Sequence, residues 1–288
     1  MKLLHFFEDK KLYFGIQTQD GIINIEKTVI ANDGNLPVTW EKILLQAEND
    51  VHFLEQYLEL KPVFSKEEDI TFAPSVTNPE KILCIGLNYD SHINEVKMEH
   101  PKEPTIFSKY NSCLTGHNTQ IHLPKDAVKF DYEAELVIIM GKIAHNVPKE
   151  EALSYVFGYS VGNDFSARDL QLLTGQWLLG KACDGFAPLG PYIVTADEVN
   201  PDCLDIKCEV NGIVRQHSNT KNMIFDCSAI ISYISKYITL KPGDIIFTGT
   251  PEGVILGETQ EKQQWLKSGD QISVTIEKLG TLSNTLKG

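Results

Sequence analysis

The stretch Asp131-Tyr132-Glu133-Ala134-Glu135-Leu136-Val137-Ile138-Ile139-Met140-Gly141 decides how the chain is read. An unbroken apolar run closed by glycine predicts a strand buried on both faces, because a half-exposed strand would alternate apolar with polar. Glu133 and Glu135 are two apart, so on a strand both carboxylates point to one side. On spacing alone the pair reads as a solvated strand entry, since E-x-E is a weak signal. Beside an apolar run, two like charges repel and are costly to desolvate unless a cation lies between them. A third acid such as Asp164 would complete an all-oxygen cage, which suits a hard cation, Mg²⁺ or Mn²⁺, better than Zn²⁺.

Further segments extend this pattern in a fixed order. Residues 85–95 read IGLNYDSHINE, 131–138 DYEAELVI, 163–171 NDFSARDLQ, 180–191 GKACDGFAPLGP and 248–254 TGTPEGV. In this order they resemble the fumarylacetoacetate hydrolase superfamily, in particular its small members that act on acylpyruvates and oxaloacetate. Each motif alone is modest, and the joint signal spans residues 75–288, about three quarters of the chain. The resemblance implies an α+β, mostly β fold, with a mixed β-roll as the C-terminal domain. It implies Glu133, Glu135 and Asp164 as ligands of Mg²⁺ or Mn²⁺, and His92 with Glu95 as a dyad on a segment that orders over the substrate. It also implies Lys181 beside the substrate oxygens, Arg168 and Gln171 near the substrate, and a homodimer. Larger eukaryotic members carry one more ligand aspartate before the dyad; Asn88 and Asp90 fall in that region without a clear match, which groups this chain with the three-carboxylate members.

The same residues can be read without the family. His92 and Glu95 are i and i+3 on a segment of helical character, with Asp90 or Ser91 as its cap. Such a pair is usually a surface ion pair, and as a functional unit it is a carboxylate-oriented imidazole able to act as general base. Lys181 in an apolar G-K-A-C setting is not a typical surface lysine, although a packed stem with a solvated head fits too. Arg168 is either a substrate group or an ion-pair partner of Asp169 or another acid. Thr250 offers a hydroxyl and neighbouring backbone N–H groups to a carboxylate, or is simple turn structure. Lys109 or Tyr110 could edge a pocket or merely pack there.

A formal charge of −13 argues against nucleic acid, which needs clustered Lys and Arg. A small anionic substrate remains compatible, because a metal and a few placed cations outweigh the global field locally. The start of the chain has too short an apolar run for a signal peptide, and no stretch reaches membrane-spanning length. The six cysteines show neither C-x-x-C nor zinc spacing and read as core thiols. A cytoplasmic, reduced protein is expected.

Residues 1–72 read as a small N-terminal α+β domain and 73–288 as the catalytic domain. Leu12, Phe14 and Ile16 alternate as one strand and Ile23 and Ile25 as another, joined by a Gln19-Asp20-Gly21 turn. Residues 40–60 read as one or two amphipathic helices and 222–238 as another, and 147–157 as a short helix opened by Pro148 and early acids and closed by Gly158. Asn211-Gly212 between apolar runs signals a type I′ hairpin.

The function expected is metal-dependent cleavage of a C–C bond in small 2-oxo acids through an enolate: acylpyruvate hydrolysis, oxaloacetate decarboxylation, or both. In hydrolysis His92 and Glu95 would activate water, and Lys181 would stabilise the enolate. The alternatives are a 2-hydroxyhepta-2,4-diene-1,7-dioate isomerase or 2-oxo-acid hydratase, and a non-catalytic binding or scaffold protein. The last has no use for a base and an enolate cation.

Overall fold

The apolar run of the sequence forms the strand Ala134–Met140, every residue of which is buried. A computed structural model describes residues 1–48 and 50–288. Period two explains the double burial. Leu136, Ile138 and Met140 enter one core with Ile206, Val274, Leu282 and the helix Cys227–Ser235. Val137 and Ile139 enter a second with Ile245, Phe247, Leu3 and Trp40. Glu133 and Glu135 share the parity of that second face, just before it becomes wholly apolar.

The strand is the centre of an 11-stranded sheet. It pairs antiparallel with Val156–Asn163 on one side and with Ile245–Phe247 on the other. Ile245–Phe247 continues, in parallel, to Ile82–Gly86, which pairs antiparallel with Thr105–Lys109 at one edge. A five-stranded sheet packs across the first core, with the order Ile213–Asn219, Asp205–Val210, Gln271–Ile276, Gly280–Lys287 and Gln120–His122. The fold is α+β and mostly β, as expected. The I′ hairpin holds: Asn211 and Gly212 have φ of 51° and 78°, and Val210 faces Ile213.

The N-terminal segment differs from its reading in detail. Lys2–Glu8 is a strand, and Ile25 opens the helix Ile25–Ala31, capped by Asn24, whose side chain accepts from Lys27 N. Leu3 pairs with Ile193, so these strands extend the central sheet across the division drawn at residue 72. Trp40–Ala47 is helical and Val51–Tyr57 is a 3₁₀ turn. Lys149–Tyr155 is likewise 3₁₀, and the later helix is confined to Cys227–Ser235 behind the cap of Asp226, whose side chain accepts from Ala229 N.

His5 ties this segment to the linker. Its Nδ1 lies 2.7 Å from the Ser75 carbonyl, which can only accept, so Nδ1 carries the proton. The ring packs on Phe14 and Trp40 at centroid distances of 4.6 and 5.5 Å. Burial pulls its pKa from 6.5 down to about 4, opposed in part by the Ser75 bond and by Glu41. Between those values the unfolded chain takes up a proton that the folded protein refuses. Stability from neutral His5 is therefore complete above pH 6.5 and lost as pH falls toward 4, by roughly 3 kcal/mol in all. The thermal midpoint of the wild type, measured against His5→Gln, should fall progressively across that window; a difference independent of pH contradicts this account.

Candidate active site

Glu135 pairs with Gly162, and Ala134 with Asn163, across the central hairpin. This register brings Asp164, one residue past its strand, alongside Glu133. Asp164 N donates to the Glu133 carbonyl at 2.9 Å, and Glu133 N to Asn163 Oδ1 at 2.9 Å. The three side-chain carboxylates are buried, and one oxygen of each lies within 4.8 Å of the others.

Three bases meet these acids. Lys181 Nζ lies 2.6 Å from Glu133 Oε2 and 2.8 Å from Asp164 Oδ2. Arg168 donates from Nε to Asp131 Oδ2 at 2.9 Å and from its Nη1 to Gln171 Oε1 at 2.9 Å. Its Nη2 lies 2.7 Å from Glu133 Oε1, and Lys109 Nζ lies 2.6 Å from Asp164 Oδ1. The last two contacts are short but poorly angled, and among the described residues neither Asp164 Oδ1 nor Arg168 Nη2 has an aligned hydrogen-bond partner. They act as charge contacts. Burial would raise the Glu133 carboxyl, but Lys181, Arg168 and His92 outweigh it and hold that group well below the usual range. Burial likewise works against the Lys181 ammonium, and the Asp164 and Glu133 charges reverse this, so it stays protonated.

Glu135 is the unbalanced member. Its carboxylate accepts from Gly249 N at 2.7 Å and, among the described residues, has no cation in contact. Burial pushes its pKa well up, and the Asp164 and Glu133 charges push it further. Four buried acids, Asp131, Glu133, Glu135 and Asp164, face three buried bases.

The dyad stands over this floor. A left-handed residue, Leu87 at φ 58°, turns the chain out of Ile82–Gly86 into the helix Asp90–Val96. His92 is buried, and its Nδ1 lies 3.0 Å from Glu95 Oε1. Gly253 N donates to both Glu95 oxygens, at 2.9 and 3.1 Å. Glu133, Glu135, Arg168 and Lys181 of the floor and His92 of the dyad line one cleft, together with Gln171 and Thr250. Its walls include Val96, Met98, Phe107, Leu172, Trp177 and Leu256.

Residues 81–287 match the family model for the C-terminal part of fumarylacetoacetate (FAA) hydrolase. The chain belongs to the fumarylacetoacetate hydrolase family. A relative from Dictyostelium discoideum, fumarylacetoacetate hydrolase domain-containing protein 2 homolog, is 52% identical over 73% of this chain and 72% of its own. The human mitochondrial oxaloacetate tautomerase FAHD2A is 39% identical over 94% of this chain and 86% of its own. Among solved structures, maleylpyruvate hydrolase from Sphingobium sp. SYK-6, in complex with manganese(II) and pyruvate, superposes with a TM-score of 0.77 at 30% identity, over 100% of this chain and 99% of that one. The chain is thus an enzyme of this family. The human name places that relative in mitochondria, so the cytoplasmic expectation gains no support from it. Among the described residues no helix is long and apolar enough to cross a membrane.

The family's divalent ion fits the donor set. Three buried carboxylates converge, Asp164 Oδ1 lacks an aligned donor, and the acids outnumber the bases. All-oxygen ligation of this kind suits a hard cation. The two residues left open before the dyad take no part: Asn88 is spent on Phe225 and Thr248 backbone groups, and the Asp90 side chain is 71% exposed beside His100. The helix is entered from Tyr89 without a side-chain cap, so neither Asp90 nor Ser91 caps it.

The nine residues given a catalytic, substrate or metal role from sequence gather in this region, although Arg168 is engaged by Asp131, Glu133 and Gln171. Thr250 Oγ1 accepts from Gln216 Nε2 at 2.8 Å, leaving its own proton to donate. Two residues have a part in the floor that the sequence reading does not assign: it has none for Asp131, and reads Lys109 only as edging a pocket or packing. Asp131 accepts from Arg168, Ile255 N and Leu256 N, and its place two before Glu133 was the available signal. Lys109 is wholly buried and also meets the Phe165, Lys181 and Phe186 carbonyls; a lysine ending an apolar strand was the hint. Tyr110 is 56% exposed.

Glu135→Gln keeps the shape and the acceptor for Gly249 while deleting one ligand charge. At about 100 times its Kd, Mn²⁺ should stabilise the wild type by ~2.7 kcal/mol. The variant should fold, with its thermal midpoint unmoved by the same Mn²⁺. A full Mn²⁺ response in the variant removes Glu135 from the ligand set.

Proposed function

We propose that this enzyme performs enol chemistry at C3 of small 2-oxo acids with Mg²⁺ or Mn²⁺, and that tautomerisation of oxaloacetate is its reaction. The observation that carries the reading is the joint placement of a cation-binding carboxylate cluster, a charged lysine and a carboxylate-oriented histidine on one cleft. The extent of the likeness to the human oxaloacetate tautomerase supports the choice of reaction.

Glu133, Glu135 and Asp164 would hold the ion, which when bound supplies a Lewis acid to the 2-oxo acid head. Because the Glu95 carboxylate only accepts, it keeps the proton of neutral His92 on Nδ1 and leaves the Nε2 lone pair as the base. Gly253 N fixes Glu95, and through it the imidazole. His92 Nε2 takes a proton from C3. The electron pair left behind forms the C2–C3 double bond and moves charge onto the C2 oxygen. Lys181, protonated and held by two carboxylates, supplies positive charge beside that oxygen. Return of the proton to the oxygen completes the enol, so that one proton has moved and nothing else is exchanged. Thr250 can donate to a substrate carboxylate.

Cleavage of the bond beyond C3 is the second reading. It is favoured by the maleylpyruvate hydrolase neighbour and requires the same dyad to activate water.

With Mn²⁺ present the protein should accelerate loss of enol absorbance from fresh enol-oxaloacetate, and a chelator should abolish the effect. His92→Ala should lower the rate at least ~10²-fold. Pyruvate formed at the rate of enol loss would shift the assignment to cleavage, and no acceleration with either ion would remove oxaloacetate tautomerisation as the reaction.

A further inference from the structure

Every base at the floor is engaged: Lys181 by Glu133 and Asp164, Arg168 by Asp131, Glu133 and Gln171, and Lys109 by Asp164 and three backbone carbonyls, while the neutral His92 is held by Glu95. Among the described residues the cleft has no further basic side chain in its lining, and its remote wall is apolar. Trp177 dominates that wall. Its carbonyl accepts from Lys181 N at 3.1 Å, so the indole and the Lys181 ammonium leave one face of the same helical turn. The indole lies flush on Gly86, where a Cβ would come within 2.7 Å of Cζ3 and 3.2 Å of Cη2. This glycine is required for space and not for its backbone angles. Phe107 braces the indole edge-on at 5.6 Å and 73°, and its own ring centre is 5.3 Å from Lys181 Nζ. An aromatic surface therefore runs from the floor's ammonium up the wall.

We infer that Trp177, seated on Gly86 and braced by Phe107, is a specificity-determining residue that selects an uncharged planar group at the end of the substrate remote from the oxo-acid head and rejects a carboxylate there. This rests on the oxo-acid reading proposed above. A four-carbon diacid spans only the polar floor. In a longer substrate the remote group reaches the wall, where a carboxylate loses water and meets no cation, whereas a planar neutral group stacks on the indole.

The test compares benzoylpyruvate with fumarylpyruvate, which share a head and differ in the charge of the tail, using the wild type with Mn²⁺. The ratio of kcat/KM, benzoyl over fumaryl, should be about tenfold or more in favour of benzoyl. Trp177→Arg should invert the ratio, chiefly through KM, by giving the remote carboxylate a partner. Gly86→Ala, which keeps the indole but unseats it, should erode the ratio in the same direction. A Mn²⁺-induced rise in thermal midpoint verifies that each variant is folded, and if neither is, the wild-type ratio decides alone. A wild-type preference for fumarylpyruvate, or a ratio unmoved in both folded variants, overturns the inference. Turnover of oxaloacetate without turnover of benzoylpyruvate overturns it too. Failure to turn over any of the three acids overturns instead the oxo-acid reading.

Discussion

The charge imbalance at the cleft floor is the constraint on which the rest of this structure depends. Taking four carboxylates out of water beside an apolar strand is tolerable only if compensating charge is brought to them, and the chain does this with bases from three separate elements. Lys109 ends the edge strand Thr105–Lys109, Arg168 opens the helix Arg168–Gln171, and Lys181 closes the helix Leu178–Lys181. Helices of one turn do not persist alone in water. Here the ion pairs fasten them to the central hairpin, so the same contacts that neutralise the acids assemble the cleft. Three bases leave one carboxylate short, a shortfall that a bound cation would make good. Well-packed apolar residues in these positions would serve stability at least as well, so the network is better explained by chemistry than by folding.

Much of this was legible because it is local. The two-faced burial of Ala134–Met140 follows from an uninterrupted apolar run, and the Asn211-Gly212 hairpin from the backbone angles those two residues tolerate. The dyad could be placed because three residues along a helix is contact distance. What the sequence left open was decided by partners far along the chain. Lys109 is an ordinary lysine until Asp164 and the carbonyls of Phe165 and Phe186 close around it. Arg168 was left between substrate and ion pair, and nothing in its neighbourhood names Asp131. Ile25 suggested a strand because it alternates with Ile23, but Asn24 caps a helix at that point. Leu3-Leu4-His5-Phe6-Phe7 shows no alternation, although it is a strand whose residues Leu3 to Phe6 are buried.

Within the family, one floor is compatible with several outcomes, because tautomerisation, decarboxylation and cleavage all pass through negative charge on the same carbon and oxygen. The residues that differ in consequence stand further out. In the proposed reaction a base over C3, held by Glu95 and Gly253, would set whether a proton or a water is moved, and the walls of the cleft would set what the substrate can carry beyond its head. Specificity in such a site is a property of the walls, which are free to vary while the charge balance beneath them is not.

The pairing of Leu3 with Ile193 has a consequence for how far this protein can be divided. The family match begins at residue 81, which suggests a self-sufficient unit from there onward. Without Lys2–Glu8, however, the Ile193–Thr195 strand would present its open row of amides and carbonyls to any passing chain, with the apolar residues of the second core bared beside it. The first residues thus act as a selvedge that keeps the weave from unravelling, and a chain trimmed to its recognisable part would be more prone to pair with its own copies.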